Sequence, residues 1–539
     1  MLKNILQSEV EVVLNGTELT RDFMLNVLDV TVENSLHLPD VATLILYDAK
    51  LNYIDDSRLA PGKTLQLSMV SQGLKHLVFD GEIVEIQPDF DQGVQRLTVR
   101  AFNKMHRLAR GRHVRSFQDV SDKDLITKLA AEVGLQADVD ETPVIYPYVF
   151  QNNESNLTFL QKRAAALGYL LYVQKDKLYC KEARSSQPPL PLEWGSTLHE
   201  FHPCMTTVEQ VDQVMVRGWD PMQKRSLMGQ ENADSGIGAP SLGENDKGAA
   251  LAQKAFHMQT QILVADRPIR QQGLVDQLAQ AEANRQAGRF IEAEGICYGE
   301  PALVAGTSIT ITKVGQRFSG QYFVTDTVHR YSAGQGYTTS FSVSGYHPSI
   351  IFARLLAERE PVLMTGLVIA LVTDNDDPQK MGRVKVQYPW LSNEHASDWI
   401  RVASPGGGNR RGIEFLPEID DEVLVGFEMG DIHYPYVLGG LWNGKDAIPD
   451  PEVVTQGLPH KVVKRIIKSR SGHTITLDDS EGKECVIVED KSGNKIEMNS
   501  VSNTLTIQAK DEVNIKAGAG MTLEAKGEIS IKGSLINLN

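Results

Sequence analysis

The chain has 539 residues, of which 41% are hydrophobic and 23% charged. That is the balance of a globular protein with about three or four folding units, and it argues against disorder. Lys plus Arg number 54 against 69 Asp plus Glu, a formal charge of −15, which disfavours a nonspecific grip on nucleic acid or an anionic membrane. Cys180, Cys204, Cys297 and Cys485 are far apart and form no C-x-x-C pair, so neither a disulfide framework nor a zinc site is expected, and synthesis in a reducing compartment is. The first ten residues lack the regions of a signal peptide, and the longest apolar stretch, 362–372, is too short to cross a bilayer as a helix.

In chain order, 10–100 reads as strands such as Ala42-Thr-Leu-Ile-Leu-Tyr47, separated by Asp, Gly and Pro turns. Ser121-Asp-Lys-Asp124 is a capping-box pattern ahead of Leu125, Ile126, Leu129, Ala130 and Val133, with Gly134 at the C-cap place, which predicts a helix. A second helix is expected through Leu157, Leu160, Ala164 and Leu167 to Gly168, followed by a hairpin over 169–180. After the Pro-rich connector 185–192 strands resume, interrupted by a Gly-rich loop at 236–248 and one long helix at 271–289. Five short strands at 366–372, 383–388, 399–403, 422–427 and 436–441 suit a small closed barrel such as an OB-fold.

The tail is periodic. Over 505–536 it reads as octads with apolar first places (Leu505, Val513, Met521, Ile529), apolar third places (Ile507, Ile515, Leu523, Ile531) and small fifth places (Ala509, Ala517, Ala525, Gly533). Two inward side chains followed by a tight corner are what a β-helix requires. Strands this short have no second sheet of their own to pair with, so several identical chains wound round one axis are expected, with a single-chain solenoid as the alternative. Looser apolar pairs at Ile475 and Leu477, Val486 and Val488, and Ile496 and Met498 place its start near Ser471.

A resemblance now enters. Asp374-Asn-Asp-Asp-Pro-Gln-Lys-Met-Gly-Arg-Val-Lys-Val-Gln-Tyr-Pro-Trp390, Ser397-Asp-Trp-Ile-Arg-Val-Ala403, Phe415-Leu-Pro-Glu-Ile-Asp-Asp-Glu-Val-Leu-Val-Gly-Phe427 and Gly430-Asp431 with Pro435-Tyr-Val-Leu-Gly-Gly-Leu-Trp442 closely resemble the OB domain of VgrG spike proteins of contractile injection systems. The stretch 153–169 is similar to the hub of that family, and the octads to its needle. Two positions depart from the family pattern: Asp420 stands where Gly is common, and Ile432 where Pro is. Asp tolerates positive φ better than most residues, so the turn at 420 should survive.

The resemblance implies a mainly β fold with α+β insertions: a first hub β-barrel domain (1–115), a hub α/β domain (116–190), a second hub β-barrel domain (191–360), an OB-fold (365–446), a basic linker or collar (447–470) and an intertwined trimeric β-helical needle (471–539). It implies a homotrimer that adapts a sixfold inner tube to a threefold needle and pierces the target membrane when a sheath contracts. Its partners would be the inner tube protein, baseplate proteins, the target-cell membrane on firing, and a PAAR-type tip protein seated on Leu535, Ile536, Asn537, Leu538 and Asn539. Assembly in the bacterial cytoplasm would precede incorporation into an injection particle. The OB motif residues carried over are Asp374, Gly382, Arg383, Trp390, Trp399, Pro417, Glu422, Gly430 and Asp431. The short needle, with no room for an effector domain after it, favours the layout of an extracellular, phage-tail-like system.

Catalytic and cofactor motifs are not found in the sequence. Gly439-Gly-Leu-Trp-Asn-Gly-Lys-Asp446 matches a P-loop except that Asp replaces the Mg²⁺-binding hydroxyl, and Ile448-Pro-Asp-Pro451 forbids the helix that would hold phosphate. His199-Glu-Phe-His202 with Cys204 lacks metal-site spacing, and Gly306-Thr-Ser-Ile-Thr310 misses the last Gly of a nucleophile elbow. No catalytic, cofactor or metal residue is therefore assigned, and the chain is expected not to be an enzyme. Lys461, Lys464, Arg465, Lys468 and Arg470 could hold an acidic neighbour, against a plain solvated collar in which Val462, Val463, Ile466 and Ile467 are structural. The competing functions are a spike with an unrecognised hydrolytic site in the hub, and an OB-fold module that binds a ligand or single-stranded nucleic acid; no nucleic-acid partner is expected of an acidic chain.

Overall fold

The computed structural model describes residues 9–71, 74–91, 94–142, 144–183, 187–233, 241–243, 247–334, 336–345, 366–391, 394–455 and 459–537. It is 44% strand and 15% helix, which makes the protein mainly β. Two compact units divide at residue 440.

In the first unit, strands with strict alternation build the opening sheet. Ala42, Leu44 and Leu46 of strand Val41–Tyr47 are buried while their neighbours are not, and Val12, Leu14, Leu65, Leu67, Leu97 and Val99 close the same core. The 18-residue strand Leu74–Asp91 pairs with Thr64–Ser71 along its first half and with Val94–Phe102 along its second.

Two separate β domains do not follow from this sheet. Strand Val27–Ser35 pairs antiparallel with Asp326–Ser332, placing His329 opposite Val32 and Tyr331 opposite Val30. Through that junction Gly336–Val343, Ile291–Tyr298 and Leu198–Met205 join the opening strands in one sheet of eleven. Each strand supplies the hydrogen-bonding edge the other lacks, a pairing across nearly 300 residues of chain that alternation cannot reveal. The later part also holds a four-stranded sheet over Leu190–Glu193, Ser308–Thr312, Gly320–Phe323 and Ser241–Leu242.

The α/β insertion is as the caps imply. Helix Asp122–Glu132 has the full Ser121–Asp124 capping box, and helix Asn156–Leu167 is capped by Ser155 and ends at Gly168 with φ +70°. The long helix spans Gln272–Gly288.

The five expected strands close into a barrel in the order Val368–Asp374, Arg383–Gln387, Ile400–Val402, Pro435–Gly440, Glu422–Phe427. Its core is Ala370, Val372, Val384, Val386, Tyr388, Ile400, Val423, Val425 and Val437. This is the one closed barrel among the sheets of the described residues. Asp420 has φ +73°, the left-handed backbone that Gly would adopt without cost, and its amide donates to the Val372 carbonyl at 2.9 Å.

In the second unit, five strands (Lys464–Lys468, Thr474–Asp478, Cys485–Glu489, Lys495–Asn499 and Thr504–Gln508) form an antiparallel meander. Residues 509–537 continue from it without strand pairing among the described residues. The strand pairing of this unit is thus that of the meander alone among the described residues. Turns at Gly472, Gly482 and Gly493 bring sequence neighbours together, whereas the later octads pair with no strand among the described residues.

Candidate functional site

The meander carries two rows on one face that are apolar apart from Arg465. Strand register aligns Ile467, Ile475, Val488, Ile496 and Ile507 in one row, and Arg465, Leu477, Val486, Met498 and Leu505 in the other. Ile475, Leu477, Val488, Ile496 and Met498 remain 42–47% exposed, and Leu505 and Ile507 about 60%. The first and third places of the first octad are thus the ends of these two rows, and Ala509 follows directly. The remaining inward places, Val513, Ile515, Met521, Leu523, Ile529 and Ile531, are all exposed, as are Ala517, Ala525 and Gly533. Leu535, Ile536 and Asn537 are exposed too, while Leu538 and Asn539 lie outside the described residues. An exposed apolar face of this extent is uncommon on a solvated surface.

Much of the basic cluster is matched within its own unit. The Lys464 ammonium lies 2.9 Å from Asp450 and 3.8 Å from Glu452, Arg465 pairs with Asp479, and Lys468 donates to the Pro449 carbonyl at 3.3 Å. Ile466 and Ile467 are strand residues, and Val463 donates to the Val453 carbonyl.

In the barrel, the loop between the first two strands is organised by Asp377, which lies in the stretch 374–390 but is not one of the OB motif residues carried over. Asp377 is buried and accepts from Arg383 Nη2 at 2.7 Å and Nε at 3.0 Å, and from the amides of Gln379 and Met381. The Arg383 guanidinium, outweighing burial and aided by those amides, holds the Asp377 carboxyl well below the usual carboxylate range. Asp374 only caps the turn, accepting from the Asp376 amide, and Gly382 has φ +67° beside it. Pro417 presents its carbonyl to Asn375, Glu422 pairs in register with Leu371, and Lys385 lies over the Trp399 ring at 5.1 Å. Trp390 is 48% exposed and tilted against Tyr388. Arg383 pairs in register with Arg401 on the strand that begins one residue after Trp399.

Two polar latches tie the barrel to the hub. His433 bridges the first: its Nδ1 is 2.7 Å from the Asp431 carboxylate and its Nε2 is 3.0 Å from the Phe150 carbonyl in the α/β insertion. Tyr148 adds a hydroxyl bond to the Ala396 carbonyl at 3.1 Å. In the second latch Arg270, just ahead of the long helix, pairs with Glu428 at 2.9 Å and stacks over Tyr434 at 4.4 Å, while the Tyr436 hydroxyl donates to Glu428 and receives from Arg401. Asp431 and Tyr436 were legible within the quoted motifs, but Arg270 and Glu428 were not, because the arginine is 158 residues from its carboxylate. The only available sign of Asp377 was its place in an Asp-Pro turn six residues before Arg383.

Among the described residues no group of three His, Cys, Asp or Glu is placed to hold a metal, and His199 packs on Tyr298. The Asn443 carboxamide oxygen accepts from the amides of Lys445 and Asp446, a turn and not a phosphate-binding helix start. No described helix is long and apolar enough to cross a membrane.

Residues 5–333 match the family described as Alg8 N-terminal domain, and 368–442 match the type VI secretion system/phage-baseplate injector OB domain. Among curated proteins, the type VI secretion system spike protein VgrG5 of Pseudomonas aeruginosa is 26% identical over 242 residues, 39% of this chain and 30% of that protein. VgrG1a of the same organism is 30% identical over 132 residues, 22% of this chain and 20% of that protein. The chain thus spans less than a third of the length of these relatives. Among solved structures, a chain of the half-lidded Francisella PdpA–VgrG complex aligns with TM-score 0.56 at 8% identity, covering 93% of this chain and 88% of that one. The Escherichia coli c3393 protein, described as a type VI secretion component similar to the T4 tail proteins gp27 and gp5, aligns with TM-score 0.51 at 14% identity, covering 81% of this chain and 98% of that one. At such identities these are likenesses of fold.

Proposed function

Because the chain belongs to the Alg8 N-terminal domain family and carries an injector OB domain after it, we propose that it is the central spike of a phage-tail-like contractile injection machine. Three copies would assemble, with their hubs facing a sixfold inner tube and their tails wound into one β-helical needle. The single observation that carries this reading is the two-row apolar face of the meander, which runs into octads with the same inward places. Packing three such faces around an axis removes both rows from water and gives the later octads strand partners. The work is mechanical: sheath contraction elsewhere drives the needle through the target membrane, and no step needs a catalytic residue. A tip protein of PAAR type would seat on 535–539, and baseplate proteins around the hub.

Light scattering on the full-length protein, beside a form ending near residue 460, tests the assembly. The expected result is a mass near three times 59.6 kDa that falls to that of a monomer on truncation. A full-length monomer at micromolar concentration, or a trimer that survives truncation, would overturn the proposed role of the tail.

A further inference from the structure

His433 joins two parts of the fold through both nitrogens of one ring. Its Nδ1 lies 2.7 Å from Oδ1 of Asp431 in its own barrel loop, and its Nε2 lies 3.0 Å from the carbonyl oxygen of Phe150 on hub strand Ile145–Glu154. The loop is fixed around this contact: the Ile432 side chain is buried, the His433 amide donates to Asp431 Oδ1 at 3.0 Å, and the Tyr434 amide donates to the Asp431 carbonyl at the same distance. A backbone carbonyl can only accept. Burial would raise the Asp431 carboxyl, but the bonds from His433 and the charge of Arg267 outweigh it and hold the group below the usual carboxylate range, so it too only accepts. Two acceptors at these distances need a hydrogen on each ring nitrogen, and an imidazole carries both only as the cation. The neighbouring charges are matched elsewhere. Arg267 acts on Asp431, and Arg163 and Arg270 act on Tyr434, yet each has a carboxylate of its own in Asp266, Asp122 and Glu428. On the strand that carries Phe150, the Tyr148 hydroxyl is committed to the Ala396 carbonyl at 3.1 Å. Asp431 is the acid left to His433.

We propose that His433 is a pH-responsive clasp: as the imidazolium it fastens the barrel to the hub, and loss of its proton opens the bond to the Phe150 carbonyl. The neutral ring keeps its one hydrogen on Nδ1, where the acceptor is charged, and turns a bare Nε2 lone pair toward the carbonyl oxygen. Lone pair and carbonyl then repel, and strand Ile145–Glu154 loses its hold on the 431–433 loop, while the Arg270 latch and the Tyr148 bond remain. The sign is that of a histidine whose charged form is favoured by folding: its contribution is complete at low pH and is lost as pH rises, so the joint tightens in acid and loosens in alkali. The clasp lies within one chain and depends neither on the spike reading nor on trimerisation.

Amide hydrogen exchange of the full-length protein, read by mass spectrometry on peptides covering 145–154 and 428–437 and corrected for intrinsic rates, tests the clasp. Protection of both peptides is expected to fall about tenfold or more between about pH 6 and pH 8.5, the factor carried by one hydrogen bond from a charged donor, while peptides from 27–47 in the opening sheet keep theirs. His433→Gln has no proton to lose in this range, so its two peptides should show the low protection of the alkaline natural protein at both ends of the range. Asp431→Asn, which removes the charge that favours the imidazolium, should move the fall to lower pH. Constant protection of the natural protein across the range would overturn the proposal whatever the variants do. A pH response that persists unchanged in His433→Gln would overturn it as well, by assigning the fall to another group.

Discussion

His329 is fully buried, with its Nδ1 2.8 Å from the Tyr337 hydroxyl, and burial pushes its pKa down to about 4 from an ordinary 6.5. The folded protein therefore keeps a neutral imidazole over a range in which the unfolded chain takes up a proton. Stability from this residue is complete above the unfolded value and is lost as pH falls toward 4, by about 3 kcal/mol across the window. Thermal melts of the natural protein should decline between pH 6.5 and 4 more steeply than those of His329→Gln; superimposable profiles would remove His329 as the cause. Asp377 also loses its contribution on acidification, but in a lower window, because its carboxyl is depressed: the stabilisation is present above the ordinary carboxylate pKa and disappears as pH drops toward the folded value. Replacing it strands Arg383 and two loop amides together. Asp377→Ala should cost about 3 kcal/mol in chemical denaturation, and a loss under about 1 kcal/mol would show that the loop holds without it.

At the level of elements, helix Asn156–Leu167 shows how local and tertiary requirements can fall on one position. Gly168 ends it with φ +70°, and a Cβ there would also lie 2.9 Å from both Cα and Cβ of Ala281 on the long helix. The left-handed backbone alone costs a non-glycine residue about 1–2 kcal/mol, and the collision adds to it. Gly168→Ala is expected to destabilise the hub by at least about 2 kcal/mol in denaturant titrations, whereas a loss confined to the backbone cost would mean that the two helices move apart freely. The C-cap was readable from the apolar spacing that precedes it. The second helix pressing on the same glycine was not, because Ala281 is one of several alanines alternating with polar residues and carries no mark of its neighbour.

For the whole molecule the decisive region is the tail. In the proposed needle Ile515 points at the shared axis, so Ile515→Asp would bring three carboxylates together in an apolar core, each costing several kcal/mol to bury unpaired. The variant should fail to form the full-length trimer in light scattering while its hub and barrel still melt cooperatively. An intact trimer carrying Asp at that position would overturn the inward register. The latches of Arg270, Glu428 and Tyr436, and of Asp431, His433 and the Phe150 carbonyl, matter at the same scale, since they fasten the barrel to two separate parts of the hub.

By itself the sequence determined whatever depends on neighbours along the chain. Five alternating strands became the closed barrel, Ser121 and Asp124 capped a helix, Asp420 took the left-handed turn, and the apolar pairs upstream of the octads lie in the same two rows as Leu505 and Ile507. Side-chain period and cap chemistry act over a few residues and are written locally. Only the tertiary structure decided that the opening and later hub strands share one eleven-stranded sheet, that Asp377 organises the barrel loop around Arg383, and that Arg270 reaches Glu428. Those pairings join residues through backbone edges and single charges, which carry no periodicity and name no partner until the chain has folded.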